Sequence, residues 1–141
     1  MAQINMGRVI AGGLAGALVL NVVDYCVNVV FLADKWRAQT MKLNPNLDMM
    51  SSTAIAGYVT VDVALALVIV WLYAAIRPRF GPGPATATKA AVVVWFIAAL
   101  FNSMFVINEL YGPKIIAVSL AGTLVGMLAA GNLGAMIYKE E

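Results

Sequence analysis

Four long apolar stretches, separated by short polar segments, dominate the pattern of this chain. They cover residues 9–32, 53–76, 85–107 and 115–138. A helix needs roughly 20 apolar residues to cross a hydrocarbon core of about 30 Å, and each stretch exceeds that length. The pattern predicts an all-α fold, a four-span antiparallel transmembrane helix bundle with short loops, in which residues 1–141 form one domain.

The connections between these stretches carry residues that end helices. The first connection is the long one, and its residues 36–43 are expected to form a short interfacial helix with Trp36 at headgroup level. Residues 77–84 hold three prolines and two glycines, which predicts that the second span ends before them. In the last connection, we expect Gly112 to end the third span and Pro113 to open the fourth.

The composition requires a lipid environment. Hydrophobic residues make up 62% of the chain and charged residues 11%, whereas soluble domains contain about 25% charged residues. The mean hydropathy of +0.88 agrees with this, because so apolar a chain has too few polar residues to cover a surface in water. We therefore predict a multi-pass protein of the bacterial inner membrane, surrounded by membrane lipids.

Basic residues are divided almost equally between the two sides of the membrane. The side of the termini holds five and the opposite side holds four: Arg8, Arg77, Arg79, Lys89 and Lys139 against Lys35, Arg37, Lys42 and Lys114. By the positive-inside rule this small excess predicts that both termini lie in the cytoplasm.

The composition also excludes several kinds of chemistry. The absence of histidine excludes imidazole catalysis and histidine metal sites. The single Cys26 forms no intrachain disulfide and is expected to be a small buried thiol. The net charge is only +2, and no basic stripe is available to follow nucleic acid. We therefore predict no cofactor, no metal site, no catalytic residue and no nucleic-acid partner.

Small residues recur at four-residue spacing on two of the predicted spans. The first span carries Gly12 and Gly16, and the last carries a longer stripe of Gly122, Gly126, Ala130 and Gly134. Such stripes allow two helix backbones to approach closely in a membrane. They predict tight helix contact and leave open whether the partner helix belongs to the same chain or to a second copy.

Two ionisable residues, Asp24 and Asp62, lie within the predicted spans. Ionisable groups at such positions cost about 2.5–3.5 kcal/mol on insertion scales, so they are functional candidates by default. At 1.5 Å per residue, Asp24 lies about 6 Å and Asp62 about 4.5 Å from the middle of its span, both toward the long connection. We expect the two carboxyl groups at similar depth on adjacent antiparallel helices.

Other polar residues gather in the same half of the membrane. Four of them on the first span follow the i, i+3, i+4, i+7 spacing of one helix face, and Tyr58 lies one turn before Asp62. We predict an inward-facing cluster, open toward the long connection, formed by Asn21, Asp24, Tyr25, Asn28, Tyr58, Asp62 and Asn102. The same half also contains Ser103, Ser119 and Thr123.

Two carboxylates in apolar surroundings cannot both stay charged at low cost. Either one of them holds a proton or a cation neutralises them, because no lysine or arginine lies at that depth in the sequence. Three interpretations stay open, namely structural hydrogen bonds between helices, an ion or ligand pocket, and a catalytic dyad. The dyad has the least support, because the chain offers neither histidine nor a Gly-rich phosphate loop.

The chain resembles small bacterial four-helix integral membrane proteins whose function is unknown. The residues that carry the resemblance are the polar face of the first span (Asn21, Asp24, Tyr25 and Asn28), residues 70–84, Trp95 and Asn102, and the turn at residues 111–113. The resemblance implies the four-helix fold and brings no activity, cofactor or partner with it.

We expect a non-enzymatic protein. The leading hypothesis is an accessory or structural subunit of a homo-oligomer or a larger membrane complex, because the chain has almost no mass outside the bilayer and carries two small-residue stripes. The alternative hypothesis is a small proton- or cation-coupled carrier or channel that uses the intramembrane acids Asp24 and Asp62.

Overall fold

The computed structural model describes residues 4–139, and within them the chain is all-α. A π-helical segment, Tyr25–Phe31, directly prolongs the first α-helix. The α-helices are α1 (Met6–Asp24), α2 (Ala33–Leu43), α3 (Ser52–Phe80), α4 (Pro84–Ile107) and α5 (Pro113–Ile137).

Four helices are long and apolar enough to cross a membrane: Met6–Phe31, Ser52–Phe80, Pro84–Ile107 and Pro113–Ile137. They contain 24 to 29 residues each, which exceeds the roughly 20 residues that a hydrocarbon core requires. The predicted fold class, a four-span helix bundle, is confirmed. The chain is therefore a multi-span membrane protein, with a terminus side and, opposite it, a loop side that carries α2.

The second span extends further than the sequence predicted. The helix continues past Ile76 to Phe80 and includes Pro78 in its last turn. Pro78 removes one backbone hydrogen bond, yet the helix continues until Gly81, whose φ of +82° no longer fits a helix. The N–H of Gly81 closes the last turn by donating to the carbonyl of Arg77 at 2.9 Å.

The turn between α4 and α5 also differs from its prediction. Glu109, with φ of +56°, takes the left-handed position, whereas Gly112 has φ of −68° and caps the start of α5. The N–H groups of Glu109 and Leu110 donate to the carbonyls of Val106 and Phe105 at 3.0 and 2.9 Å. This pair of bonds is the Schellman pattern, and it ends α4 three residues before the predicted glycine.

The four spans form a bundle in which α1 and α4 lie at opposite corners. Each of these two helices packs against both α3 and α5, and α3 and α5 also contact each other. The most extensive contact joins α1 to α5.

The contact between α1 and α5 depends on small residues. A methyl group added at Gly12 would lie 2.7 Å from the carbonyl oxygen of Gly134, and one added at Gly16 would lie 2.8 Å from that of Ala130. Both distances are shorter than any normal carbon contact, so only glycine fits at these two positions. The two predicted stripes therefore pack against each other within one chain.

The rest of the α5 stripe contacts larger side chains of the first span. A methyl group at Gly126 would lie 2.8 Å from Leu20 Cδ1, and one at Gly122 would lie 2.6 Å from Val27 Cγ2. The stripe thus changes along its length from backbone contact to side-chain contact, which keeps α1 and α5 adjacent over most of the membrane.

The two sides of the bundle are packed differently. The larger buried core lies on the terminus side and in the middle of the bundle, where its members include Leu20, Ile69, Val70, Ala87, Ala90, Ala91, Met127 and Ala130. By contrast, residues 52–61 of α3 and residues 95–107 of α4 include no buried residue. The loop-side halves of these two helices are therefore less buried than their terminus-side halves.

Helix α2 lies across the loop-side end of the bundle, as its interfacial prediction requires. Gly112 donates its backbone N–H to Gln39 Oε1 at 2.7 Å, and the hydroxyls of Thr40 and Tyr111 are 3.4 Å apart. The Trp36 and Tyr111 rings meet edge to face with centroids 5.2 Å apart. These contacts fasten α2 to the turn between α4 and α5.

We predict that Gly12→Ala destabilises the protein by about 1–3 kcal/mol, because its methyl group has no space against the α5 backbone. The matched change Gly57→Ala places a methyl group on a helical glycine with nothing within 4 Å. It should leave stability unchanged or raise it by up to about 1 kcal/mol. Unfolding by sodium dodecyl sulfate in mixed micelles measures both variants, and equal losses would contradict the assigned α1–α5 contact.

Candidate functional site

The two intramembrane acids meet between α1 and α3. The carboxyl groups of Asp24 and Asp62 lie within hydrogen-bonding reach of each other. Helical Cα–Cβ bonds tilt toward the helix N-terminus, so on antiparallel helices these two side chains lean toward one another. Asp62 is only 6% exposed, and Asp24 is partly buried.

A hydroxyl group on α5 completes the site. Thr123 Oγ1 lies 3.1 Å from Asp24 Oδ1 and also 3.1 Å from the backbone carbonyl of Ser119. A hydroxyl has one hydrogen to donate and two lone pairs to accept with. Thr123 therefore donates to a charged Asp24, and it accepts from a protonated Asp24 while donating to Ser119. The contact fits both protonation states of the carboxyl.

The π-helical segment presents a second polar contact one turn further toward the loop side. Asn28 Oδ1 accepts from Ser119 Oγ at 2.8 Å and from the Trp36 indole N–H at 3.1 Å. The N–H of Leu32 donates to the carbonyl of Val27, five residues earlier, as a π-helix requires. π-Helical segments are rare in proteins, and those that do occur are often found at functional sites.

The electrostatic surroundings of the pair contain no counter-charge. The described groups that act on the two carboxyls are the carboxyls themselves and the Thr123 hydroxyl, and no lysine or arginine is among them. In residues 4–139, no third histidine, cysteine, aspartate or glutamate joins the pair to make a metal-binding group. Repulsion between the carboxyls is therefore relieved only by something that binds between or beside them.

Several residues predicted for the cluster are placed elsewhere. Tyr25 is 56% exposed and Tyr58 is 52% exposed on the outer surface of the bundle, so their predicted inward-facing position is wrong. Tyr25 directly follows Asp24, and successive residues of an α-helix differ by about 100° in direction. Tyr58 belongs to the part of α3 that includes no buried residue. Cys26, which was expected to be buried, is also exposed.

Two predicted asparagines bond within their own helices. The Asn21 and Asn102 amide groups donate to the carbonyls of Ala17 and Ala98, each at 2.9 Å. These bonds return to the preceding turn, so they do not join helices. Of the seven predicted cluster residues, the structure brings Asp24 and Asp62 together and places Asn28 one turn away from them.

The structure adds Thr123, Ser119 and Trp36 to the site. The sequence placed Ser119 and Thr123 in the correct half of the membrane but gave no reason to select them over Ser103, which bonds to its own helix at Leu100. Their four-residue spacing on α5, matching the spacing of Asp24 and Asn28 on the first span, is the signal that would have found them.

Comparison with protein-family models, curated proteins and solved structures gives no match for this chain. The described structure supports the coarse part of the resemblance stated above, four apolar helices of membrane-spanning length. It identifies no family, so the site must be interpreted from its own geometry.

We predict that Thr123→Val lowers the free energy of unfolding by about 1 kcal/mol, because Asp24 loses its hydroxyl donor in a membrane interior. The matched control is Thr60→Val, since the exposed Thr60 hydroxyl bonds only to the Ala56 carbonyl of its own helix. That variant should change stability by less than about 0.5 kcal/mol. The same detergent unfolding assay compares them, and a Thr60 effect as large as that of Thr123 would contradict the contact.

Proposed function

We propose that this multi-span membrane protein is a small proton- or cation-coupled carrier in which Asp24 and Asp62 bind the ion. The observation that supports this most directly is Asp62, a residue 6% exposed within a span, whose side chain interacts with a second carboxyl group, that of Asp24. The proposal assigns the protein no enzymatic activity.

Each carboxyl group of the pair needs a hydrogen-bond donor or a positive charge beside it. An ionised carboxylate is only an acceptor, so two facing carboxylates offer each other no donor. Asp24 already accepts from Thr123, whereas Asp62 has no hydrogen-bond donor among the described residues other than a protonated Asp24. A proton held by Asp62 and donated to Asp24, or a cation at the same place, removes the repulsion. The site is therefore built to hold one positive charge.

The energetic cost of the site also favours a role in ion binding. Each ionisable residue at a span centre costs about 2.5–3.5 kcal/mol on insertion scales, while an interhelical hydrogen bond returns about 0.6 kcal/mol on average. The gain from holding two helices together is therefore too small to explain why two acids lie at one contact. Adhesion between α1 and α5 is already provided by their glycine contacts.

The test is ion flux into proteoliposomes. We expect proton entry, driven by a potassium diffusion potential and detected with a trapped pH-sensitive dye, to fall at least about tenfold in Asp24→Asn and in Asp62→Asn. Asp34→Asn is the matched control, because Asp34 is an exposed acid in the first turn of α2. Wild-type flux in both intramembrane variants would contradict the proposal, as would an equal loss in the Asp34 variant.

A second candidate is the accessory or structural subunit of a homo-oligomer or larger membrane complex. The small-residue stripes no longer support it, because they pack within one chain. What favours it is residues 52–61 of α3, ten residues without a buried member. Most side chains of this segment are exposed and could contact another membrane helix.

Crosslinking tests this second candidate. We expect a cysteine introduced by Gly57→Cys, in a Cys26→Ser background, to form a crosslink to another chain in native membranes. Ala75→Cys, on an exposed part of α3 near the terminus side, serves as the control. A solitary monomer in membranes and in every mild detergent would argue against the accessory role.

A further inference from the structure

We infer that a groove between α1 and α3 takes the apolar body of an amphipathic organic cation, whose charge is held beside Asp24 and Asp62. The inference rests on the proposed function, because it names the class of substrate for the same site. The occupant is a quaternary onium ion or a protonated amine with aromatic or alkyl groups, and it reaches the groove from the surrounding lipid.

The groove is an apolar depression on the outer face of the α1–α3 contact, with a volume of about 560 Å³. Its lining includes Leu14, Leu18 and Asn21 of α1 and Val59 and Val63 of α3. Leu14, Leu18 and Val59 are exposed, so the groove is open to lipid along its length. Pockets of about 300–1,000 Å³ with mostly apolar walls and a few polar groups are typical sites for small organic molecules.

The register of the two helices identifies the loop-side end of the groove. A methyl group added at Gly13 would lie 3.0 Å from Leu67 Cα, so these two residues face each other across the antiparallel pair. Asn21 lies eight residues after Gly13, and Val59 lies eight residues before Leu67. Asn21 and Val59 are therefore level with each other, and both belong to the lining.

The two carboxyl groups converge on this level of the membrane. Asp24 lies three residues, or about 4.5 Å, to the loop side of Asn21, and Asp62 lies the same distance to the terminus side of Val59. Side chains lean toward the N-terminus of their helix, so each carboxyl leans toward the level of Asn21 and Val59. Their mutual hydrogen-bonding reach agrees with this convergence. The negative charge of the site is thus level with one end of the apolar groove.

Charge complementarity selects a cation for that end of the groove. The described groups that act on the pair are the two carboxyls and the uncharged hydroxyl of Thr123 on α5, and no lysine or arginine is among them. Attraction between opposite charges is only weakly screened in a membrane interior. A proton occupies the same carboxyls when the organic cation is absent. The two therefore compete, as coupling in a carrier requires.

The combination of an apolar wall and a negative end distinguishes the occupant from other candidates. A metal cation needs several oxygen ligands and gains nothing from apolar walls. A lipid acyl chain fits the walls but brings no charge to the pair. Asn21 donates its amide N–H to the Ala17 carbonyl at 2.9 Å, which leaves its own carbonyl oxygen to face a positive charge. An amphipathic organic cation uses all of these features at once.

Binding of radiolabelled tetraphenylphosphonium to the purified protein tests the inference, by equilibrium dialysis in detergent with protein-free micelles as the blank. Val59→Trp fills the groove from an exposed position and should raise the Kd at least about tenfold. The matched control is Val68→Trp. Val68 is similarly exposed on α3 and lines a separate apolar groove of about 250 Å³ near the terminus side. This variant should keep the Kd within about twofold of the wild-type value.

A second set of measurements separates the charge from the apolar body. Asp24→Asn and Asp62→Asn should each raise the Kd at least about tenfold. Tetramethylammonium carries the charge without the body, and triphenylphosphine oxide carries a similar body without the charge. Both should compete at least about tenfold more weakly than unlabelled tetraphenylphosphonium. Leu14→Trp fills the same groove from α1 and should repeat the loss, and detergent unfolding verifies that each variant is folded.

The inference and the proposed function fail in different ways. The inference is overturned by unsaturable binding, by wild-type affinity in Val59→Trp or in the two acid variants, or by equal competition from the neutral compound, which would make the groove a site for acyl chains. A changed oligomeric state in Val59→Trp with unchanged affinity would assign the groove to a second copy of the chain. None of these results alters acid-dependent proton flux. Wild-type flux in both acid variants overturns the proposed function, whatever binds in the groove.

Discussion

The close antiparallel contact between α1 and α5 is the constraint on which the rest of the structure depends. It proceeds in steps of one turn, in which Gly12 faces Gly134, Gly16 faces Ala130, Leu20 faces Gly126, Asp24 faces Thr123, and Asn28 faces Ser119. Along the α1–α5 contact, close backbone packing at the glycines gives way to hydrogen bonds between side chains. Because the glycines fix the distance and register of the two helices, they also fix which hydroxyl meets which polar side chain. The position of the Asp24 side chain therefore depends on glycine packing that lies several turns away from it.

Much of this arrangement could be predicted from the sequence, because membrane insertion imposes simple rules. Span length and apolar composition predicted four helices, and four-residue spacing predicted the stripes of Gly12 and Gly134. The similar depth of Asp24 and Asp62 followed from counting residues along each span. These inferences depend on rise per residue and on the cost of charge in lipid, neither of which needs knowledge of neighbours.

The remaining features depend on neighbours and were not predictable in this way. Tyr25 and Tyr58 were assigned to the interior because a helical pattern does not say which face of a span meets its neighbours. Pro78 stays helical although it removes a backbone hydrogen bond from the last turn. Gly112 was preferred to Glu109 for the left-handed position on residue type alone, yet the chain turns earlier. In each case tertiary packing outweighed a local preference.

The π-helical segment links the register of the first span to the polar contacts on its loop side. If residues 25–31 wound as an ordinary α-helix, each position beyond the change would be displaced by up to about 100° for one residue of register. Asn28 follows Asp24 by four residues and shares its face in an α-helix as well, so the difference in winding acts mainly on the residues after it. The wider winding therefore sets the direction in which the first span passes into α2.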